Sequence, residues 1–452
     1  MSDVLPPNGG GAAATLYVLV DPFHPYAKPM VESVARRLGY SPLCVHTGGR
    51  SAFRLGLRDH PWLRAAEHAF VDAGRLEAFA RDLSRQRPVA GAIPLTEATL
   101  LSTLQVLIGL GSNWNEPAVI ALLRDKFALK QHLREVAPGL EVGASSRWPS
   151  GAPPPRLEHL PPRFVLKPNR GYGNVSVGYF NEKMPQGSVD AFPAGCPGLD
   201  LVVEEFHPGT EYFVNGQTDG LGDTTVVAIF RYERVWANHR SVDWLTHQLP
   251  RAAPEFAILE EYAARTLSAV GLRRSPFHLE VRLTSGRPRL IELGARLAGN
   301  GNALLCERLH GGKLDLFGMA AGQYLRDATP AGGVLDWRAY DERPVTYVHG
   351  VAFERAIIYS LEGIEALERH PWFGGWVRRP AVGQRMWPTA DLFSSPWCFL
   401  LQPAPGADVA AAAAELRALL RINRRPPWFR LPAVRTVDLA RRILARASAL
   451  LR

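Results

Sequence analysis

Residues 163–180 constrain this chain most. A β-rich run there ends in a lysine and is followed by a short loop with two glycines and a second β-rich run. The apolar residues on both sides of the loop suit pleated strands. Gly171 and Gly173 permit positive φ and leave the backbone N–H groups unobstructed, and such amides can form a concavity that binds phosphate. Lys167, at the end of the first run, would add a fixed positive charge. A plain hairpin with glycine in its turn explains the same residues.

Size and composition indicate a multidomain globular protein. The 452 residues predict about two to four domains, because one domain takes roughly 100–200 residues. Residues 1–14 lack the regions of a signal peptide and are expected to be disordered, and no apolar run is long enough to cross a bilayer. The cysteines are scattered without a C-x-x-C pair, which favours a reducing cytoplasm; they are Cys44, Cys196, Cys306 and Cys398.

The net charge of +9 is concentrated at one end of the chain. Residues 421–452 contain nine arginines and one acid, Asp438, and so carry +8, which leaves +1 for all other residues. Residues 437–451 also have apolar residues at helical spacing, so this tail could lie on an anionic membrane, dock on the body or bind an acidic partner. Because the excess charge is confined to the tail, a nucleic-acid partner is the poorest fit.

The N-terminal part of the chain alternates strand and helix patterns. The predicted elements are strands at 16–21, 41–45 and 89–93, and helices at 27–38, at 76–83 and up to residue 108. Such alternation is typical of an α/β sheet whose ligand groups lie at the carboxyl ends of its strands. Glu97 follows the strand at 89–93 and is therefore a candidate ligand group, although a carboxylate at the first turn of a helix also stabilises that helix.

Further elements are predicted downstream. They are a helix at 117–137, two strands within 201–214, a strand at 224–232, a loop at 240–250 and a helix at 255–270. A smaller α+β unit follows, with a loop and helix at 299–310, an irregular link at 334–340, strands at 348–359 and 397–402, and helices at 360–370 and 407–422. The helix at 117–137 contains Arg124-Asp125-Lys126, for which a solvated charged face is the alternative to ligand binding.

Residues 277–296 are the second informative stretch. Polar and apolar residues alternate on both sides of a turn, so Glu280 and Glu292 are expected on one face of a hairpin. Two like charges opposite each other cost free energy unless positive charge lies between them. A divalent cation is the simplest such charge, because carboxylate oxygens suit Mg²⁺ that also binds phosphates. The alternative is a solvated outer face on which Arg282 and Arg296 pair with the acids.

Three features now follow one another along the chain: the lysine strand with its glycine loop, the strand that ends in Glu204-Glu205-Phe206, and the hairpin with paired acids. In this order they resemble the ATP-grasp superfamily of ligases, which hold ATP between two α+β lobes. The resemblance covers residues 16–422. The Glu-Leu-Gly-Ala-Arg segment at 292–296 and the C-terminal unit are most similar to the L-amino-acid ligases, which join free amino acids into dipeptides.

The resemblance implies a combined α/β and α+β architecture, the ATP-grasp fold. A Rossmann-like domain would precede a two-lobed ATP-binding core and a small C-terminal α+β domain. The implied units are a disordered N-terminus (1–14), the pre-grasp domain (15–115), a linker helix with the small lobe (116–205), the large lobe (206–333), the C-terminal domain (334–425) and a basic tail helix (426–452).

One group of residues would bind the nucleotide, according to the resemblance. Two lysines would bind its phosphates, and a flexible loop would cover them; these residues are Lys126 and Lys167, and Gly171, Gly173, Asn174 and Ser176. The Glu204 carboxylate would bind the adenine amino group, and the backbone at Glu205 and His207 would bind the adenine edge. Glu211 would bind the ribose.

A second group would hold the metal and the transferred phosphoryl group. Glu280 and Glu292 match the magnesium ligands of the family, with Mn²⁺ as an alternative ion. Arg296 matches the arginine near the phosphoryl group, and it is our candidate for stabilising an oxyanion. Many ATP-grasp enzymes have Asn two residues after the second metal-binding Glu, but this chain has Gly294. Water or a nearby group such as Asn300 would have to take its place.

The substrate residues are predicted from position alone. Glu97 would bind the amino group of the first substrate, and Leu297 and Asn300 would shape its side-chain pocket. His247 and Glu97 are the candidates for accepting the proton of the attacking amine.

The implied activity couples the carboxylate of an amino acid or peptide to an amine, through an acyl phosphate made from ATP. The implied partners are small amino-acid substrates, without nucleic acid, and the implied location is the cytoplasm. The protein could also form a homodimer. Alternatives are another amine acceptor in secondary metabolism, a carboxylase or purine-type enzyme that uses bicarbonate, and a nucleotide-binding protein without chemistry. The chain has no Met-Lys-Met biotinyl module. It keeps the lysine, acids and arginine that chemistry requires: Lys167, Glu280, Glu292 and Arg296.

Overall fold

The computed structural model describes residues 4–5, 15–112, 114–326, 333–404 and 406–425. The N-terminus that was expected to be disordered lies outside these ranges except for Val4–Leu5, and the basic tail helix at 426–452 lies outside them entirely. The described residues form sheets of five, four, eight and three strands. Within these ranges no helix has the length and apolar character needed to cross a membrane.

A mainly parallel sheet forms the N-terminal part. Its elements are β1 (Val4–Leu5), β2 (Leu16–Val20), α1 (Ala27–Leu38), β3 (Ser41–His46), α2 (Gly49–Asp59), β4 (Glu67–Phe70), α3 (Leu76–Gln86), β5 (Val89–Ala92) and α4 (Leu100–Gly109). Strands β4, β3, β2 and β5 are parallel neighbours in that order, and β1 adds antiparallel to β4. All of β2 is buried, as is usual for the centre of a parallel sheet. The predicted α/β sheet is confirmed, and Glu97 lies just beyond the carboxyl end of β5.

Two helices replace the single helix expected at 117–137. They are α5 (Pro117–Leu123) and α6 (Lys126–Val136). The chain leaves helical geometry at Asp125, with φ −117° and ψ 101°, and the Asp125 carboxylate accepts a hydrogen bond of 2.8 Å from the Ala128 N–H. An aspartate N-cap of this kind satisfies a free amide in the first turn. The new helix therefore begins at Lys126.

A second, antiparallel sheet has four strands, and we call it the small lobe below. Its elements are β6 (Ser145–Trp148), β7 (Arg163–Pro168), β8 (Gly178–Asn181), α7 (Gln186–Asp190) and β9 (Leu201–Glu205). The strand order is β6-β9-β7-β8, and Trp148, Phe164 and Leu201 belong to a separate hydrophobic core. Strand β7 pairs with both β8 and β9, and Lys167 near its end is the register partner of Val202 in β9.

The remaining elements form the largest sheet, a small satellite sheet and their covering helices. They are β10 (Thr210–Thr218), β11 (Thr224–Ala237), β12 (Arg240–Gln248), α8 (Pro254–Val270), β13 (Ser275–Thr284), β14 (Arg287–Gly294), α9 (Asn302–Leu309), α10 (Leu316–Tyr324), α11 (Trp337–Glu342), β15 (Thr346–His349), β16 (Ala356–Glu362), α12 (Ile364–Arg369), β17 (Phe373–Arg378), β18 (Arg385–Met386), β19 (Cys398–Leu401), α13 (Val409–Leu419) and β20 (Arg421–Arg425). The eight-stranded order is β14-β13-β10-β11-β12-β15-β19-β17, and the satellite order is β18-β16-β20.

Three local predictions for this part are wrong. The loop expected at 240–250 is mostly strand β12, which is long enough to pair with β11 on one side and β15 on the other. The strand expected at 348–359 is two strands, because the chain leaves the large sheet after β15 and joins the satellite sheet as β16. The link expected at 334–340 contains α11, whose N-cap Asp336 accepts a hydrogen bond of 2.9 Å from the Ala339 N–H.

The eight-stranded sheet is continuous across the boundary predicted between residues 333 and 334. Strands β15, β19 and β17, from the expected C-terminal domain, extend the sheet formed by β10 to β14. The division of the chain into domains remains a prediction.

Strand register decides which face of the large sheet a side chain occupies. Glu280 is the register partner of Phe213, whereas Val281 is the partner of Tyr212. Directly opposed residues of an antiparallel pair share a face and alternate residues occupy the other face. Helix α8 packs on β10, β11 and β14 and covers the apolar face with Tyr212. The opposite face carries Glu280 and, through the same register, Glu211.

We expect the packing of α3 on α4 to be sensitive to one added methyl group. A Cβ atom at Gly109 would lie 2.2 Å from the Glu77 carbonyl oxygen. Gly109→Ala should therefore lower the free energy of unfolding by about 1–3 kcal/mol, although alanine ordinarily favours a helix over glycine. Gly74→Ala is the matched control, because its added atom would have no neighbour within 4 Å. Urea unfolding measures both, and equal stability of Gly109→Ala and the wild type would contradict the packing.

Candidate active site

Glu280 and Glu292 face each other across the β13–β14 hairpin, which confirms the pairing expected from their spacing. Their Cα atoms are register partners, and their side chains are 22% and 23% exposed. Glu280 Oε1 lies 3.5 Å from His278 Nε2 and accepts a hydrogen bond of 3.5 Å from the Tyr232 hydroxyl. Glu292 Oε2 lies 3.5 Å from Lys126 Nζ. The pair is thus part of a cleft and not of a solvated outer face.

These two carboxylates suit a divalent cation. Burial raises the pKa of Glu280, but the hydrogen bond from His278 and the charges of Arg234 and Lys167 outweigh burial and lower that pKa to about 2. Within the described ranges, no group of three or more His, Cys, Asp and Glu side chains could hold a metal ion. Mg²⁺ commonly takes one or two carboxylates and completes its shell with phosphate oxygens and water. The donor set therefore fits Mg²⁺ bound together with a polyphosphate.

Glu204 lies between two buried lysines. Its Oε2 atom is 2.8 Å from Lys167 Nζ and 2.9 Å from Lys130 Nζ. Burial raises the pKa of Glu204, but the two ammonium groups lower it to about 2. Burial lowers the pKa of Lys130 to about 8, whereas for Lys167 the nearby carboxylates, Glu204 foremost, outweigh burial and raise the pKa. Lys167 also donates a hydrogen bond of 3.3 Å to the Ile291 carbonyl, which connects the small lobe to strand β14.

One oxygen of this cluster lacks a partner. Glu204 Oε1 is buried and has no hydrogen-bond partner within the part of the chain that the structure describes. An unsatisfied buried acceptor costs about 1–3 kcal/mol, and the amino group of a purine base would satisfy it. Glu205 is exposed, and its N–H donates to the Ala144 carbonyl at 3.1 Å. The His207 ring packs so closely on Gly143 that a Cβ atom there would lie 2.3 Å from Nε2, and burial lowers the pKa of His207.

The loop between β7 and β8 has unusual backbone geometry. Gly173, Asn174 and Ser176 all have positive φ, at 71°, 61° and 56°. Asparagine tolerates this region better than most residues. Lys126 Nζ donates a hydrogen bond of 2.8 Å to the Gly171 carbonyl, so the first residue of α6 holds the start of the loop.

The same loop rests on two other parts of the fold. A Cβ atom at Gly173 would lie 2.5 Å from a ring carbon of Phe393, so the close approach as well as the positive φ requires glycine. Asn174 Nδ2 donates a hydrogen bond of 3.1 Å to the Ser241 carbonyl in β12. The loop is therefore placed between the small lobe and the segment that follows β18. The mobility expected for it remains a prediction.

Glu211 is paired with two arginines. It accepts a hydrogen bond of 2.6 Å from Arg234 and another from Arg282. The Arg234 guanidinium also lies 4.5 Å from the centre of the Tyr232 ring and 3.5 Å from Asp243. Burial lowers the pKa of Arg234, but Glu211 and then Asp243 outweigh burial and raise it. The residue predicted to bind ribose thus lies on the face with Glu280, but its oxygens are already engaged.

Arg296 contacts Glu97 and not the paired acids. Its Nε–H donates to Glu97 Oε2 at 2.9 Å, and Arg124 donates to Glu97 Oε1 at 2.5 Å. Burial raises the pKa of Glu97, but the charges of Arg296 and Arg124 outweigh burial and lower it. Glu97 is therefore an ion-pair partner of two arginines. Arg124 is 14% exposed. The alternative expected for residues 124–126, a solvated charged face, therefore does not apply to Arg124.

Leu297 and Asn300 lie in the segment that connects β14 to α9. Leu297 is buried among Phe277, Cys306 and other core residues. Asn300 has a positive φ of 55° and is followed by Gly301, the N-cap of α9. The structure places Leu297 in the hydrophobic core and Asn300 in a turn. Neither position tests the predicted roles of these residues in a substrate pocket, which remain proposals.

His247 lies apart from the other candidate residues. It is the register partner of Arg231, on the face of the sheet opposite to Glu280. Its Nε2 lies 3.1 Å from Glu233 Oε2 and its Nδ1 lies 3.1 Å from Thr346 Oγ1, while burial lowers its pKa. The structure does not bring His247 to the cleft because β12 is a strand, in which alternate residues face opposite sides.

Four residues of the site were missed by the sequence reasoning. Lys130 follows Lys126 by four positions on α6 and so shares its helix face, and His278 precedes Glu280 by two positions on β13 and so shares its sheet face. Both patterns are visible in the sequence. Arg124 belongs to the charged segment at 124–126, but no role was predicted for it. Tyr232 reaches the site through the pairing of distant strands, for which the sequence has no local signal.

Comparisons with known proteins agree with this geometry. Residues 161–303 match the sequence profile of the ATP-grasp domain. The chain is 29% identical over 155 residues to dapdiamide A synthase from Enterobacter agglomerans, a match that spans 32% of this chain and 36% of that protein. The chain therefore spans about a third of the length of that curated relative.

Two solved structures extend the comparison to most of the chain. The L-amino acid ligase from Bacillus licheniformis aligns with a TM-score of 0.70 at 16% identity, over 92% of this chain and 100% of that one. The biotin carboxylase domain of the 2-oxoglutarate carboxylase from Hydrogenobacter thermophilus, solved with MgADP and bicarbonate, aligns with a TM-score of 0.57 at 15% identity, over 90% of each chain.

The lysine strand, the glycine loop and the paired acids all lie within the matched residues. The chain contains an ATP-grasp domain, and as a whole it has the ATP-grasp fold. Of the two solved structures, the L-amino acid ligase aligns with the higher TM-score, 0.70 against 0.57.

The acid dependence of stability tests the lysine–glutamate cluster. The pKa of Glu204 falls from 4.5 to about 2 in the folded chain. Its charge therefore contributes stability that is complete above about pH 5 and is lost as the pH falls from 4.5 towards 2. Glu204→Gln should lower the free energy of unfolding by about 3–5 kcal/mol at pH 7, because it removes the nearest counter-charge of two buried lysines.

Urea unfolding between pH 7 and pH 3 measures this difference. The gap between wild type and Glu204→Gln should shrink below about pH 4.5. The exposed neighbour serves as control, and Glu205→Gln should change stability little at any pH. A gap that stays constant across this pH range would contradict the buried cluster.

Proposed function

We propose that this protein is an ATP-dependent carboxylate–amine ligase. It activates the carboxylate of an amino acid or peptide as an acyl phosphate and couples it to an amine. We propose that this amine belongs to a second amino acid. The local sequence match to dapdiamide A synthase and the similarity of fold to an L-amino acid ligase support this choice of substrates.

The proposal rests on one observation: the opposed carboxylates Glu280 and Glu292 share a cleft with buried lysines. Lys126 Nζ lies 3.5 Å from Glu292, and Lys167 donates to the carbonyl of the residue that precedes Glu292. Carboxylates and ammonium groups in one cleft suit a metal-bound polyphosphate, whose negative oxygens need both. Mg²⁺ held by Glu280 and Glu292 would polarise the β- and γ-phosphates and neutralise the charge that develops in transfer.

The first step would form one bond and break another. A carboxylate oxygen of the first substrate attacks the γ-phosphorus of ATP, the bond to the β–γ bridging oxygen breaks, and ADP leaves with the electron pair. The product is an acyl phosphate. Lys126 and Lys167 would hold the phosphate oxygens, and Arg296 would face the oxygen charge on the acyl group. Catalysis of phosphoryl transfer rests mainly on such positioning and on electrostatic stabilisation.

In the second step the amine attacks the acyl carbon. A tetrahedral oxyanion forms, the C–O bond to phosphate breaks, and the amide and inorganic phosphate leave. The proton of the amine passes to a base that we do not assign, since His247 lies on the other face of the sheet. Water would destroy the acyl phosphate, so the loop that contains Gly173 would serve as a cover over the nucleotide.

Cysteine chemistry supports a cytoplasmic location. All four cysteines are free thiols, and each is buried. Protein disulfides are rare in reducing compartments, and a ligase that consumes ATP needs a compartment that supplies it.

A phosphate-release screen tests the proposed activity. The wild-type protein is incubated with ATP and Mg²⁺, or with Mn²⁺, and all pairs of amino acids, and products are weighed by mass spectrometry. We expect phosphate release that requires added amino acids and a product whose mass equals the two substrates less one water. Release that depends on bicarbonate and not on amino acids would instead favour a carboxylase-type reaction, and release independent of any added substrate would contradict ligase activity.

Substitution of one paired acid separates the metal site from the fold. Glu292→Gln should lower kcat by about 1,000-fold or more, because the ion would lose half of its protein carboxylates. Glu261→Gln is the control, since that side chain is 73% exposed on α8, and it should keep normal activity. Steady-state kinetics and thermal unfolding of both variants are the measurements, and near-normal turnover of folded Glu292→Gln would show that the metal assignment is wrong.

Nucleotide affinity tests the lysine separately. Lys167→Ala should weaken ATP binding by about tenfold or more, because it removes a buried charge that phosphate would otherwise meet. Calorimetric titration with ATP and Mg²⁺ measures this, and an unchanged dissociation constant would remove Lys167 from the site.

A further inference from the structure

Three distant segments meet in one buried ion cluster, which consists of Glu97, Arg124 and Arg296. Glu97 follows β5, Arg124 lies between α5 and α6, and Arg296 follows β14. The Glu97 side chain is 4% exposed and each arginine is 14% exposed. The carboxylate uses one oxygen for each arginine, at 2.5 Å and 2.9 Å. Its partners show that Glu97 is neither a helix cap nor a free acid in the cleft.

The contact fixes the orientation of the Arg296 guanidinium. The Nε–H bonds to Glu97, and one N–H of Nη1 bonds to the Leu297 carbonyl at 3.1 Å. These two bonds use two of the five N–H donors of a guanidinium. A planar fork held at its Nε has little rotational freedom left, so its remaining donors keep a set direction.

Gly294 provides the space for this contact. A Cβ atom at this position would lie 3.0 Å from Glu97 Oε2 and 3.8 Å from two side-chain carbons of Arg296. Gly294 is the position at which many ATP-grasp enzymes have a metal-binding Asn. Any side chain there would press on the carboxylate, so in this chain the space beside Arg296 is taken by an acid from the N-terminal sheet.

The cluster also connects the N-terminal sheet to the phosphate-binding groups. Arg124 stands two residues before Lys126, which starts α6. The two arginines and one glutamate carry a net charge of +1. Without the carboxylate, two guanidinium groups would be left close together and largely buried, and like charges in such a setting repel each other.

We propose that Glu97 is a positioning residue that acts through Arg296: it holds the guanidinium in its reactive orientation and needs the space left by Gly294 to do so. This assignment rests on the proposed function, because Arg296 matters only if a phosphoryl group or an acyl oxyanion forms beside it. It differs from the earlier prediction, in which Glu97 itself binds the amino group of the substrate.

Steady-state kinetics distinguish the two roles. Glu97→Gln should lower kcat by about 100-fold, the size of effect seen when an oxyanion donor is lost, and Gly294→Ala should lower it by about tenfold through misplacement. KM for ATP and for both amino acids should stay within about twofold. The double variant should be no slower than Glu97→Gln alone, because both changes disturb one contact.

The matched control is Glu67→Gln. Glu67 is also a buried glutamate of the N-terminal sheet, and it is paired with Arg87, so its substitution reports a general loss of stability. It should leave kcat within about twofold of wild type. A higher KM for the first amino acid with kcat preserved in Glu97→Gln would overturn the proposal in favour of substrate binding. An equal loss in the control would overturn it as well.

A spectroscopic measurement keeps this test independent of ligase activity. In ¹⁵N-labelled protein, the Nε–H signal of Arg296, assigned through Arg296→Lys, should be shifted by its hydrogen bond and should move in Glu97→Gln. If no amino-acid pair is turned over, the proposed function fails, while this signal still decides the contact. If Glu97→Gln does not fold, Gly294→Ala carries the same measurement, and an unmoved Nε–H signal in the folded variant would overturn the proposal.

Discussion

The site depends on one electrostatic constraint: two carboxylates are opposed across a hairpin. Register pairing places Glu280 and Glu292 opposite each other on β13 and β14, and such a pair costs free energy unless positive charge lies between or around it. The fold supplies that charge from separate elements, with Lys126 from α6 and Lys167 from the small lobe. Lys167 adds its charge to that of His278 and Arg234 on the large sheet, which also lower the pKa of Glu280.

The same logic explains why the cleft suits a charged ligand. Lys130, Lys167 and Glu204 form a buried triad in which one glutamate oxygen lacks a partner. A triad of two positive charges and one negative charge attracts an anion and still offers an acceptor. A nucleotide presents both a polyphosphate and an amino group. The glycine loop lies against Phe393, outside the small lobe, so its position depends on the C-terminal part of the chain.

Local patterns predicted the elements whose signals are local. Alternation of residues predicted the hairpin with Glu280 and Glu292, and the strand–helix alternation predicted the parallel sheet. The break at Asp125 was missed because helical periodicity continues through it, while the cap that causes it depends on one side-chain bond. His247 was placed in a loop because strand β12 depends on pairing with β11 and β15, and such pairing has no signal within the segment itself.

Partners of charged residues were the least predictable part of the site. Position alone assigned Glu97 to a substrate, and water or Asn300 was expected to replace the side chain missing at Gly294, whereas the structure brings Glu97 against Arg296 from a point 199 residues away. Ion pairs over such distances depend on the complete packing of the chain. Glycine suits position 294, because a Cβ atom there would lie only 3.0 Å from the carboxylate oxygen that bonds to the arginine.

The proposed mechanism requires that a carboxylate oxygen becomes bonded to the γ-phosphorus of ATP. It is tested most directly by the fate of that oxygen, with an amino acid labelled with ¹⁸O in its carboxylate, the second amino acid, ATP and Mg²⁺. An acyl phosphate intermediate predicts that each inorganic phosphate released with the amide carries one ¹⁸O atom from the carboxylate, detected by mass spectrometry or by the ³¹P isotope shift. Phosphate that contains no ¹⁸O, released while amide is formed, would contradict an acyl phosphate intermediate.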